Sequence, residues 1–179
     1  FLLPALFGLC VAPNAWGWAD LFDRFNNARP GARMVDLHQL IESEARRHHL
    51  PAHYVAAILH IESAAQPCAL SHANAAGLMQ IMPAVARRHG ILDRYDPRGN
   101  VAAGTAHLAA ALHLAGGDPR LAAAVYNAGP KVLNRPESSW PDETREYVNR
   151  KLPLLLPAYR GDEWRRHLPR HVTQTNRAT

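Results

Sequence analysis

Apolar positions recur at helical spacing along most of the chain. Asp36 stands three residues before Gln39 as a capping pair, and Leu37, Leu40, Ile41 and Ala45 follow on one helical face. Pro51 suits the first turn of a second helix, where its missing N–H costs nothing, and Tyr54, Val55, Ile58, Leu59 and Glu62 continue the stripe. Gln66-Pro67 is the expected end of that helix, because a residue before proline disfavours the helical region. A small-residue loop at 71–77 leads to a short helical stretch from Pro83 to Gly90. After Asp96-Pro97, an Ala/Leu-rich segment at 101–115 can bury a wide face before Gly116-Gly117 stops it. Asp118-Pro119 starts a helix through Leu121, Ala124, Val125 and Tyr126, broken by Asn127-Ala128-Gly129-Pro130. Lys131 to Asn134 is one turn at most. Trp140-Pro141-Asp142-Glu143 opens the last clear helix, with acidic residues near its positive end, and it continues through Tyr147, Val148 and Leu152 to a break between Pro153 and Pro157.

Strand signals are nearly absent, so the pattern predicts an all-α chain. At 179 residues it suits one well-buried core with tails and is short for two domains. Residues 20–33, with Asn26, Asn27, Pro30 and Gly31, show no periodicity and read as a linker. Residues 159–179 are basic and, from Gly161 onward, polar, and are expected to be a poorly ordered tail. The apolar opening at 1–12 lacks an initiator Met and reads as the centre of a signal peptide at 1–19, with Ala15-Trp16-Gly17 as the cleavage site. It is short for a bilayer span, so export and cleavage are expected, giving a periplasmic or otherwise exported protein with no membrane span in the mature chain. A short buried or anchoring segment is the alternative. Cys10 would leave with the leader, so Cys68 offers no internal disulfide.

A formal charge of +5 and a pI near 9.7 imply attraction to polyanions such as nucleic acid, anionic lipid or an acidic cell wall. Aromatic and basic residues do not interleave as on a nucleic-acid platform, so no nucleic-acid partner is expected. The eleven histidines raise the question of a metal. His49 and His53 could share a helix face, but no zinc-protease pattern follows either, and His60-Ile61-Glu62 lacks its second His. No metal, no cofactor and no Ser/His/Asp arrangement are expected.

Glu62 is the residue with the most chemistry to offer. Four residues after Ile58, it shares the apolar face, so packing of that face would draw its carboxyl out of water and favour the protonated form that a general acid needs. On position alone, a solvated helix-end glutamate is the competing reading. Its company decides otherwise: Glu62-Ser63, Pro67, Ser71, Gly77-Leu78-Met79-Gln80-Ile81-Met82-Pro83, Tyr126-Asn127-Ala128-Gly129, and Glu143-Thr144-Arg145-Glu146-Tyr147-Val148. In order and spacing these blocks resemble the catalytic domain of the soluble lytic transglycosylases of bacteria, relatives of goose-type lysozyme.

The resemblance implies a lysozyme-like helical catalytic domain at 34–158, with Glu62 at a helix end inside a sugar-binding groove. It implies that Ser71 and Gln80 hydrogen-bond sugar or N-acetyl groups and that the Met82 segment lines the groove. Tyr126 would approach the Glu62 carboxyl, Asn127 would face substrate, and Glu143 would hold a sugar hydroxyl with Tyr147 close by. Glu143 alone could equally reflect the helix dipole. Ala65 and Gln66 stand where the family has an aromatic residue and Asn, and Asn74 where it has Gly, a position Asn tolerates at positive φ.

The partner so implied is the glycan strand of peptidoglycan, cleaved between N-acetylmuramic acid and N-acetylglucosamine with formation of 1,6-anhydromuramic acid. Glu62 would act as acid and then base, in keeping with the next acidic residue after it being as far on as Asp93. A secretion or conjugation apparatus is a further expected partner. Two alternatives remain: a hydrolytic lysozyme on the same fold, using Glu143 or Asp142, and a non-catalytic wall-binding or scaffold protein.

Overall fold

The computed structural model describes residues 33–174. The expected leader at 1–19 and the linker up to residue 32 lie outside the described residues, as do residues 175–179. The chain runs as β1 (Arg33–Asp36), α1 (Leu37–Arg47), α2 (Ala52–Ser63), α3 (Pro83–Arg88), α4 (Pro97–Leu114), α5 (Pro119–Ala128), two 3₁₀ turns, α6 (Asp142–Glu146), a π turn (Tyr147–Lys151), α7 (Leu152–Ala158), α8 (Trp164–His167) and β2 (His171–Gln174). It is a mostly helical structure.

Helix starts follow the capping chemistry of the sequence. The Asp36 carboxylate accepts from Gln39 N at 2.9 Å, Asp96 from Gly99 N at 2.8 Å, and Asp118 from Arg120 N and Leu121 N, each meeting an amide that has no intrahelical partner. Proline opens α3, α4 and α5, where its fixed φ is already helical.

Helix α2 ends at Ser63, before the Gln66-Pro67 pair expected to stop it. Ala64 and Ala65 both take positive φ, +50° and +63°, a conformation that costs about 1–2 kcal/mol per residue without glycine. One local and one tertiary bond hold the exit: Ala64 N donates to His60 O of the last turn at 2.8 Å, and the Ser63 hydroxyl donates to Leu78 O at 2.7 Å.

The prolines at 153 and 157 do not break the chain as the sequence suggests; α7 contains both. In a regular helix the Pro153 ring would crowd the carbonyl of Asn149. Asn149 lies within the π turn, where Leu152 N reaches back to Tyr147 O, and that wider turn removes the crowding.

The core is one cluster around α2. Val55, Ile58 and Leu59 are fully buried with Ile41 of α1, Leu108 of α4, Val125 of α5 and Leu78, Met79 and Ile81 of the loop before α3. Helix α4 packs against α5 and α1, and α2 against α1 and α7. Gly104 on α4 makes room for Met79: a Cβ there would lie 2.5 Å from its sulfur.

One expectation is corrected, at the C-terminal end, where a short sheet adds to the helices. β1 and β2 form a two-stranded antiparallel sheet, Arg33 facing Gln174 and Asp36 facing His171. The segment after residue 158, expected to be a poorly ordered tail, is folded through residue 174. Trp164 is 1% exposed, and Tyr159, Leu168 and Val172 are buried in the main core. These scattered apolar residues have no common period, so the basic residues between them hid the buried set. The folded unit therefore extends past the expected limits of 34–158 on both sides.

Candidate active site

Glu62 is the penultimate residue of α2, and three elements converge on it: the loop at 64–82, α5, and α6 with its π turn. The loop is small but tightly bonded. Gly77 N donates to Ala69 O at 2.8 Å, Ile81 N to Ala76 O at 2.8 Å, and Ala75 N to the Ser71 hydroxyl at 3.0 Å. Asn100, 1% exposed on α4, pins it from beneath: Oδ1 accepts from Met79 N at 2.7 Å, while Nδ2 donates to Ala76 O at 2.8 Å and Arg94 O at 2.6 Å. A Cβ at Gly77, φ +81°, would lie 2.2 Å from Asn100 Nδ2, so only glycine allows this approach. Asn74 takes φ +67°, and Arg94 holds its side chain at 3.0 Å.

The Glu62 side chain is partly open to solvent, but its carboxyl sits where water is scarce. Tyr147 donates its hydroxyl to Glu62 Oε1 at 2.8 Å. The carboxyl is pushed up to about 7, first by burial and further by the Glu143 charge, against the Tyr147 bond and the Lys151 ammonium, which favour the ionised form. Tyr147 and Tyr126 are themselves raised well above the ordinary phenol range by burial and by the Glu62 charge, so both hydroxyls remain donors.

Tyr126 and Tyr147 divide their work differently from the sequence expectation. Tyr126 stands close enough for the Glu62 charge to act on it, but its hydroxyl donates to Met79 O at 2.7 Å. The phenol bonded to Glu62 is Tyr147, which the π turn carries. Asn127 Oδ1 accepts from the buried Thr144 hydroxyl at 2.7 Å, which ties the end of α5 to the helix bearing the exposed Glu143.

Residues 39–149 match the model of the Transglycosylase SLT domain. The chain belongs to that family. Among similar proteins is the membrane-bound lytic murein transglycosylase F of Desulfosudis oleivorans, 38% identical over 103 residues, 54% of this chain and 23% of that protein. A transglycosylase of Enterobacteria phage PRD1 is 32% identical over 109 residues, 61% of this chain and 39% of that protein. The 70-kDa soluble lytic transglycosylase of Escherichia coli superposes with a TM-score of 0.61 at 26% identity, over 86% of this chain and 29% of that one. An inactive mutant of the lytic transglycosylase Slt from Pseudomonas aeruginosa gives 0.60 at 29% identity, over 79% and 25%. The chain thus spans between about a quarter and two fifths of the length of these relatives.

In this SLT domain, the remaining expected site residues lie on the loop. Gln80 takes φ +48° and donates its amide nitrogen to Gly77 O at 2.9 Å and Ala69 O at 3.3 Å, which leaves its carbonyl oxygen as the group able to accept from a ligand. The Ser71 hydroxyl accepts from Ala75 N and keeps its proton to donate. Met82, 41% exposed, immediately precedes α3. Sequence reasoning missed Asn100 and Lys151, and gave no role to Ser63 and Thr144, which stand within its motif blocks. A polar residue pointing inward leaves no mark on an apolar period, and Asn100 in the first turn of α4 looks like an ordinary helix-start residue.

Among the described residues, no three His, Cys, Asp or Glu side chains gather as a metal site would need. His60, one of the histidines weighed as a ligand, instead meets the Tyr159 hydroxyl through Nδ1. No helix of the described residues is long and apolar enough to cross a membrane.

Proposed function

We propose that this domain cleaves the glycan strands of peptidoglycan as a lytic transglycosylase, with Glu62 as acid and then base. The supporting observation is the Glu62 carboxyl itself, held near pH 7 by burial while Tyr147 bonds one of its oxygens. At that value both forms are populated at neutral pH, as a group that first gives and then takes a proton requires.

In the first step Glu62 gives its proton to the oxygen bridging muramic acid and glucosamine, and the bond from that oxygen to the anomeric carbon breaks. In the second, the Glu62 carboxylate takes the proton of the muramic acid C6 hydroxyl as that oxygen bonds to the anomeric carbon. The ring closes as a 1,6-anhydro sugar and Glu62 ends protonated, ready for the next strand. Because the nucleophile belongs to the substrate, its effective concentration is high and no water need be placed. Glu143, Gln80, Ser71, Met82 and Asn127 are assigned to holding the sugars.

The second reading, a hydrolytic lysozyme, draws on Glu143, whose charge acts on Glu62 and which could direct a water. Digestion of purified sacculi followed by mass spectrometry separates the two. Anhydro-muropeptides are expected; products heavier by one water would assign hydrolysis instead. The substrate places the site of action outside the cytoplasm, consistent with the signal reading of residues 1–19.

A further inference from the structure

Arg120, Glu137 and Asn149 close a triangle behind the wall that carries Tyr147. The Arg120 guanidinium, in the first turn of α5, donates through Nη2 to Glu137 Oε1 at 2.6 Å and to Asn149 Oδ1 at 2.5 Å. Asn149 in turn donates through Nδ2 to Glu137 Oε1 at 2.8 Å. Three elements meet there: α5, the 3₁₀ turn Glu137–Ser139 and the π turn. Arg145 of α6 adds a tie to the same 3₁₀ turn, donating to Ser138 O at 2.7 Å.

Two of these elements are anchored to the core. Trp140, next after the 3₁₀ turn, is 5% exposed and donates its indole N–H to Val132 O at 3.0 Å. Pro119, next before Arg120, accepts from the Tyr54 hydroxyl of α2 at 2.7 Å. The π turn is the irregular member, a single wide turn of a kind that is rare in helices. Asn149 follows Tyr147 by two residues, roughly half a turn around the axis. The exposed Asn149 is therefore gripped on the outer side while the buried Tyr147 reaches Glu62 on the inner one. Rolling the turn about its axis would free Asn149 and draw the Tyr147 hydroxyl off Oε1. The Arg120 and Glu137 side chains are 39% and 40% exposed, and an ion pair so open to water adds little stability. Its contribution is geometric.

We propose that Arg120, Glu137 and Asn149 are positioning residues, which fix the roll of the π turn and so hold the Tyr147 hydroxyl on the Glu62 carboxylate. They act on the acid only through Tyr147. The part this plays in cleavage rests on the transglycosylase reading, whereas the support of the Tyr147 bond does not.

The test is a ¹³C NMR titration of protein labelled at the glutamate carboxyls, with the Glu62 resonance identified by its loss in Glu62→Gln. Asn149→Ala breaks two bonds of the triangle and changes no charge. The Glu62 midpoint should rise by roughly half a pH unit or more, towards its position in Tyr147→Phe, because a bond to the carboxylate has loosened. Glu137→Ala should also raise it, although the loss of a negative charge by itself acts the other way. Added to Tyr147→Phe, neither substitution should give any further rise, since the bond they support is already gone. An unchanged midpoint in Asn149→Ala and Glu137→Ala, or equal rises with and without Tyr147, would overturn the positioning role. Digestion of sacculi by the parent protein is measured alongside. Failure there would remove the transglycosylase reading, while the titration would still decide the positioning role by itself.

Discussion

Tyr147 donates its hydroxyl to Glu62 Oε1 across 85 residues of sequence, and the bond opposes the burial around it. Burial favours the protonated carboxyl, whereas the phenol favours the carboxylate. Glu143 and Lys151 flank Tyr147 at intervals of four residues and push in opposite directions, the glutamate raising Glu62 and the lysine lowering it. One short stretch, α6 and its π turn, thus sets the proton affinity of an acid carried by α2.

Tyr147→Phe removes a bond to the ionised form, so the Glu62 pKa should rise. Such bonds are worth roughly 1.5–3 kcal/mol, which corresponds to an upward move of about one to two pH units. The alkaline limb of kcat/KM, where the acid form is lost, should shift accordingly. Glu143→Gln should move the same limb to lower pH, because a like charge is gone. A pH–rate profile of each folded variant checks both signs, and shifts in the same direction would contradict the arrangement.

Glu62→Gln should lower turnover by at least about 10²-fold while keeping the fold. It should also stabilise the protein at alkaline pH. The folded pKa, about 7, lies above the ordinary 4.5, so the unfolded chain ionises first and wild-type stability falls as pH rises from about 4.5 to 7. Above that window the cost levels off at about 3 kcal/mol, an upper figure. Thermal melts of both proteins at pH 4 and pH 8 should therefore differ little at the first and clearly at the second.

Asn100→Ala removes a buried side chain that satisfies three backbone groups around the loop. Each group left unsatisfied costs about 1–3 kcal/mol, so the variant should lose several kcal/mol in urea melts. If it stays folded, its KM should rise, because Gln80 and Met82 hang on the same loop. Unchanged stability would mean that the loop holds itself.

Trp164→Ala tests the C-terminal segment. Truncating a buried tryptophan costs about 3–5 kcal/mol, and the loss should appear in the global melt, since Trp164 belongs to the main core. Deletion of residues 159–179 should be at least as damaging. A dispensable tail would leave the melting temperature unchanged in both cases.

The local pattern of residues was enough to place most helices, their Asp and Pro starts, and the apolar face that carries Glu62. Those features depend on neighbours within a few positions: the periodicity of Ile58, Leu59 and Glu62, or the cap of Asp118 on α5. The motif blocks likewise named Tyr126 and Tyr147, whose phenols lie by Glu62. Tertiary structure decided what depends on distant partners. Tyr147 and not Tyr126 bonds Glu62 because the Tyr126 hydroxyl is spent on Met79 O, whereas Tyr147, where α6 passes into the π turn, reaches Oε1. Asn100 serves a loop some twenty residues earlier in the chain, and β2 closes on β1 from the opposite end. In each case the deciding energy is a hydrogen bond or a buried contact between residues far apart in sequence, and no local period or cap records such a pairing.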